Sequence, residues 1–157
     1  MLLPLVFVLL CGCTSQKEIS PVLIEISFTT QITYCDTKYV CDASLSDDKL
    51  NLLLSEPQEI CGLSLEIGKD KFIANYMGLS YEPDIDSLPS SAVAQIMFNV
   101  INDATSKTFN TADQNCEILG MVDDLNYIFT FSPSGLPLSL KIDDINFTAE
   151  FSNVTLK

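Results

Sequence analysis

The stretch VLIEISFTTQITY, residues 22–34, decides the fold class. Val22, Ile24, Ile26, Phe28, Ile32 and Tyr34 share one parity, and Glu25, Ser27, Thr29, Gln31 and Thr33 share the other. A two-residue beat of this kind belongs to a strand with one face buried and one face wet. Downstream, a turn over residues 36–38 leads to Tyr39, Cys41, Ala43 and Leu45 on one side, with Asp42 and Ser44 on the other. Ser46, Asp47 and Asp48 then turn the chain into Leu50, Leu52 and Leu54, ended by Pro57. Leu63, Leu65 and Ile67 predict a fourth strand, residues 68–71 a tight connection, and Phe72, Ala74 and Tyr76 a fifth strand.

The period changes over residues 88–104, where Val93, Ile96, Met97, Val100 and Ile101 recur at helical spacing. Pro89 stands near the first turn and Ser90 or Ser91 is available as the N-cap. The strand beat then returns with Cys116, Ile118 and Val122, next Tyr127, Phe129 and Phe131, then Leu138, Leu140 and Ile142, and last Ile145, Phe147, Ala149 and Phe151. Turns are expected over residues 123–126, 133–137 and at Asp143-Asp144. Near Asn153 the beat inverts, with Val154 and Leu156 apolar, which predicts a bulge. The fold class is therefore α+β: a strongly curved antiparallel sheet, a half-barrel of about nine strands, with one inserted amphipathic helix.

Charge excludes whole classes of partner. The formal net charge is -13, all eight basic residues are lysines, and the chain has neither histidine nor arginine. Nucleic acid needs clustered cations to neutralise phosphates, and anionic lipid needs a polybasic patch, so both are excluded as electrostatic partners. Without histidine, Ser-His-Asp triads, Cys-His dyads and histidine-bearing zinc sites cannot form, which points to a non-enzymatic chain without a cofactor.

The N-terminus carries a different signal. Residues 2–10 are apolar apart from Pro4, then come Cys11, Gly12 and Cys13, and the chain turns polar at Thr14. The run is too short for the roughly 20 residues that cross a bilayer as a helix, and reads as an export signal. Leu10-Cys11-Gly12-Cys13 resembles the bacterial lipobox. That resemblance implies cleavage before Cys13 and a diacylglyceryl group on its thiol, tethering the protein to the extracytoplasmic face of the cell membrane. The expected organisation is a signal peptide over residues 1–12, a lipidated tether over 13–21 and one domain over 22–157. The signal lacks a basic n-region, so the true start is expected upstream of Met1, with inefficient export from this start as the alternative.

Behind the lipobox, a meander, an inserted helix and a second meander resemble the lipoprotein carriers of the LolA and LolB type. Ser134-Gly135-Leu136-Pro137, the beat Leu138, Leu140, Ile142, the closing strand over residues 145–153, Pro57 and Gly62 carry the likeness. The resemblance implies an incomplete barrel whose mouth is plugged by helices. The carriers use an arginine that this chain lacks, so lipoprotein transfer is not implied. The pattern is closer to a group of uncharacterised lipoproteins of Gram-positive bacteria.

One helix of about 17 residues, roughly 25 Å long, covers only part of such a sheet. The expected candidate site is thus an apolar cavity between sheet and helix, lined by Ile26, Phe28, Leu52, Leu54, Met97, Ile101, Phe129, Phe131 and Phe147, for a hydrophobic small molecule or lipid. A protein-interaction or sensor module is the alternative. Cys35, Cys41, Cys61 and Cys116 allow three disulfide pairings, with Cys35 and Cys41 the pair best placed across a turn, or buried free thiols. The chain has no CxxC pair to hold zinc. Asp84-Ile85-Asp86-Ser87 opens like a calcium loop but lacks its glycine and closing glutamate. Turn chemistry accounts for Asp47-Asp48, Asp123-Asp124 and Asp143-Asp144, and no acid pair sits beside the tryptophans of a sugar cleft. Asn146-Phe147-Thr148 and Asn153-Val154-Thr155 match the glycosylation triplet only incidentally.

Overall fold

A computed structural model of the chain describes residues 18–89, 92–110 and 116–157. Its strands are β1 (Glu18–Ile19), β2 (Ile26–Tyr34), β3 (Thr37–Ser46), β4 (Lys49–Glu56), β5 (Ser64–Ile67), β6 (Phe72–Tyr76), β7 (Leu79–Tyr81), β8 (Phe109–Asn110), β9 (Cys116–Val122), β10 (Leu125–Phe131), β11 (Pro137–Ile142) and β12 (Phe147–Leu156). The helix α1 is Val93–Thr105. Ten strands form one antiparallel sheet in the order β7-β6-β5-β4-β3-β2-β12-β11-β10-β9, and β1 pairs with β8 apart from it. Each meander is sequential, and the first strand of one pairs with the last strand of the other, β2 against β12. The sheet is curved and open.

Local chemistry sets the hairpins. Cys35-Asp36, Asp47-Asp48, Met77-Gly78 and Asp123-Asp124 each put two residues at positive φ between paired strands. Two-residue loops of this hand match the strand twist, and aspartate and glycine tolerate the conformation. The acidic pairs are explained by this need. Asp143–Ile145 is instead a 3-10 turn that ends on Asn146 at φ 50°. Gly135 stands at φ +87°, and a Cβ there would lie 2.9 Å from the Ser20 carbonyl, so only glycine lets the 133–137 turn accept the hydrogen bond from Val22 N.

Several expectations are corrected. The beat of the first long strand begins at Ile26, because Glu25 takes φ 52° and inverts the side chains before it. Leu23 is buried and Ile24 is 68% exposed. The first turn falls at Cys35-Asp36, one residue early. The helix starts at Val93, five residues later than its pattern began, with Ala92 at the N-cap and no side-chain cap bond. The expected caps Ser90 and Ser91 lie outside the described residues. Leu138 is 47% exposed, since a bulge pairs Phe131 with Pro137 and Thr130 with Ser139, leaving Leu138 as the extra residue. The bulge expected near Asn153 is present, with a register shift between Ser152 and Thr155 and φ 52° at Asn153. Within the stretch read as tether, Glu18 and Ile19 pair with Asn110 and Phe109. The strand β7 carries three exposed residues, and Leu79-Ser80-Tyr81 is too short a beat to mark a strand by itself.

Candidate functional site: the interior between sheet and helix

All nine residues expected at the candidate site converge in one core. Ile26, Phe28, Leu52, Leu54, Met97, Ile101, Phe129, Phe131 and Phe147 are each at most 6% exposed. Strand alternation on β2, β4, β10 and β12 delivers seven of them to the same side of the sheet, and α1 presents Met97 and Ile101 to it. Aromatic rings run through this interior in contact: Phe109 on Phe131 at 5.4 Å, Phe131 on Phe129 at 4.4 Å, Phe129 on Phe151 at 5.4 Å, Phe151 on Phe28 at 5.1 Å. The open gap expected there is filled by these side chains, because the curl of the sheet brings its two halves' rings together. The site is a closed apolar interior.

The helix covers it unevenly. Its packing is concentrated on β9 at one side and on β4 and β5 at the other. Toward the β9–β10 hairpin it is tied by polar bonds. Asn99 Nδ2 donates to Asp123 Oδ2 at 2.9 Å, and the buried Tyr127 hydroxyl donates to Asp103 Oδ2 at 2.5 Å. Lys107 Nζ also reaches Asp103 Oδ2 at 2.5 Å and lies 5.2 Å from the Tyr127 ring centroid. Partial burial pushes the Asp103 carboxyl up, but hydrogen bonds from Lys107 and Tyr127 and the Lys107 charge outweigh it and hold the carboxyl below its usual value. Burial and the neighbouring Asp103 push the Tyr127 hydroxyl far above the usual phenol value, so it stays a donor. Gly120 makes room for the ring: a Cβ there would lie 2.3 Å from Tyr127 Cζ. On the other flank, among the described residues, no hydrogen bond or ion pair joins α1 to β4 or β5. A cavity of about 60 Å³ separates Ile101, Asn102 and Thr105 from the β3–β4 turn.

The core face of the sheet continues past the helix. Leu52, Leu65, Ala74 and Tyr81 are successive cross-strand partners from β4 to β7, and exposure rises along them from 2% at Leu52 to 65% at Tyr81. Tyr76 faces Leu79, which is 76% exposed. The result is an apolar shelf, continuous with the interior, at one open edge of the sheet.

The remaining candidates resolve into structure. Cys35, Cys41, Cys61 and Cys116 are all free, with Cys35 and Cys61 exposed and Cys41 and Cys116 buried. Cys35 sits in the turn while Cys41 pairs with Thr30 deep in the hairpin, about four strand residues or 13 Å along β3, too far for a disulfide between the pair that looked best placed, and the free-thiol alternative holds. Burial and the adjacent Asp42 charge push the Cys41 thiol up to about 12, leaving it no nucleophile. Asp84 caps the 3-10 turn Ile85–Ser87 by accepting from Asp86 N at 3.2 Å, which accounts for the motif that opened like a calcium loop. Among the described residues no three His, Cys, Asp or Glu side chains converge to hold a metal ion. Cys13 lies outside the described residues.

No family model matches the chain, and no curated protein does. Three solved structures share a distant likeness. A LolA superfamily protein from Nitrosomonas europaea is 8% identical, with 84% of each chain covered and a TM-score of 0.39. A DUF1329 family protein from Desulfovibrio piger is 7% identical over 85% of this chain and 86% of that one, at 0.38. PNGF-II is 12% identical over 84% of this chain but 27% of its own, at 0.36.

The polar ties were the part of the site that sequence reasoning missed. Lys107 stands four residues after Asp103, just past the end of α1, and Tyr127 opens a Tyr, Phe, Phe run on the buried beat. A phenol in such a run needs a partner, and that was the available signal.

Proposed function

We propose that the chain is a non-enzymatic lipoprotein, anchored through diacylglyceryl-Cys13 on the extracytoplasmic face of the cell membrane, that takes a hydrophobic ligand into the interior between sheet and helix. A lipid is the fitting class. The lipobox and the export signal support the anchor, and the lack of histidine and arginine supports a binding role over catalysis. The observation that carries the ligand reading is the continuity of the core face with the exposed shelf at β7. A buried apolar face that runs out into solvent as Leu79 and Tyr81 gives a ligand a path of apolar contact from outside to inside. Burial at about 25 cal/mol per Å² lets one acyl chain bind without any charged contact. The helix is the movable cover. Its polar ties hold it to β9 and β10, so it parts from β4 and β5, where only apolar contacts are lost and the shelf begins.

The second reading, a protein-interaction or sensor module, is favoured by the edge position of β7 in the sheet, where an extended segment of a partner can add as a strand. Native mass spectrometry of the chain purified from its host membranes separates the two. The ligand reading expects a stoichiometric mass of a lipid beyond the covalent one. A bare chain overturns it, and a stoichiometric protein companion supports the second reading.

A further inference from the structure

Apart from Tyr127, whose hydroxyl is bonded to Asp103, the buried core among the described residues holds one side chain with a hydroxyl, Thr30, at 0% exposure. It lies on the core face of β2, opposite Phe151 on β12 and Cys41 on β3. Its Oγ1 has no hydrogen-bond partner among the described residues. Gln95 Oε1 also lacks one, but that side chain is only half-buried and its amide nitrogen is engaged by Asn99. An unpaired buried hydroxyl is a standing cost, and valine would fill the same space without it. The hydroxyl has a use only when something polar reaches it.

Its position joins it to the shelf. From Thr30 the cross-strand row runs through Cys41 and Leu54, and Leu54 N bonds the Leu63 carbonyl. The register of β5 and β6 then carries the row to Tyr76, and from there to exposed Leu79. Five strand spacings of about 4.8 Å make roughly 24 Å along the sheet. One acyl chain spans about half of the ~30 Å hydrocarbon core of a bilayer, so the row is long enough to lay one down. No charged side chain among the described residues is buried in this core, and Asp42, beside Cys41, is exposed on the opposite face of β3. A carboxylate or ammonium group brought there would be desolvated without a counter-ion, whereas a neutral oxygen needs only one hydrogen bond.

We propose that Thr30 Oγ1 is the polar contact of the ligand, and that the ligand is an uncharged long-chain molecule bearing a single hydroxyl or carbonyl, its oxygen at Thr30 and its chain along the row toward Leu79. This rests on the ligand-binding reading above. The test uses the full lipidated chain in phosphatidylcholine vesicles and a photoreactive C16 alcohol, with unlabelled alcohol, fatty acid and alkane as competitors, and labelled peptides mapped by mass spectrometry. We expect saturable labelling of peptides from β2 or β4, with acid and alkane competing about tenfold worse than alcohol, as loss of one hydrogen bond implies. Thr30→Val loses about tenfold in affinity while melting no lower than the parent, and Thr30→Ser restores binding. A folded Thr30→Val that labels like the parent, or an acid that competes as well as the alcohol, overturns the proposal and leaves the ligand reading standing. Absence of saturable labelling by the alcohol together with an alkane and an acid probe overturns both.

Discussion

Replacing Tyr127 with Phe removes one oxygen and leaves the ring, so it isolates the bond between β10 and the helix cover. The hydroxyl donates to the Asp103 carboxylate at 2.5 Å and receives Lys107 at 3.3 Å. Hydrogen bonds to charged groups contribute about 1.5–3 kcal/mol, but the Asp103 and Lys107 side chains are 30% and 32% exposed, so water replaces part of what is lost. The expected cost is about 1–2 kcal/mol. For a domain of this size that is a fall of roughly 3–8 °C in Tm, or about 0.5–1 M in urea midpoint. The pH profile adds a sign. The folded Asp103 carboxyl is held below its usual value, so its stabilisation is present above the unfolded carboxylate range near 4 and is lost as pH falls through the folded value. The folded Tyr127 hydroxyl is raised, so its stabilisation is present below about 10 and is lost as pH rises through the folded value. The gap between parent and variant is therefore flat from about pH 5 to 9 and narrows at both ends. Urea unfolding followed by circular dichroism measures it. A gap under about 0.3 kcal/mol at neutral pH, or one unchanged at pH 3, refutes the reasoning.

Gly120→Ala drives a Cβ into the Tyr127 ring and displaces its hydroxyl from Asp103, an overpacking cost of about 2–4 kcal/mol, read in the same unfolding experiment. Alkylation at pH 8 should modify Cys35 and Cys61 in the native domain and leave Cys41 and Cys116 untouched until unfolding, with the same uptake with and without reductant. Leu79→Asp with Tyr81→Asp should leave Tm within about 1 °C, because both side chains are exposed, yet cut uptake of a lipidic probe several-fold.

Most of the sheet was legible because its residues obey one local rule. Phe28, Ile32, Leu52, Phe129 and Phe147 hold the two-residue beat, and Asp47-Asp48 and Asp123-Asp124 mark turns at positions where positive φ is required. The inversion at Asn153 could be read for the same reason. What escaped depends on partners far along the chain or on single dihedrals. Glu25 inverts the beat of Leu23 and Ile24 through one φ angle that a charged residue does not advertise. The strand β7 exists because β6 offers it an edge, and the pair β1 and β8 because two distant dipeptides meet. Asp103 and Tyr127, 24 positions apart, become a bond only once α1 lies on the sheet. The filling of the interior depends on how strongly the sheet curls, which alternation does not encode.

In the proposed binding mode the helix parts from β4 and β5 while staying with β10 to admit a hydrophobic ligand. Spin labels on the exposed helix residue Asn102, paired with Asn75 on β6 or with Asn126 on β10, report it as distance distributions, with Cys35 and Cys61 replaced by serine. Saturating C16 alcohol is then expected to lengthen the Asn102–Asn75 distance and leave Asn102–Asn126 unchanged. Two unchanged distances, or a lengthening confined to Asn102–Asn126, would contradict it.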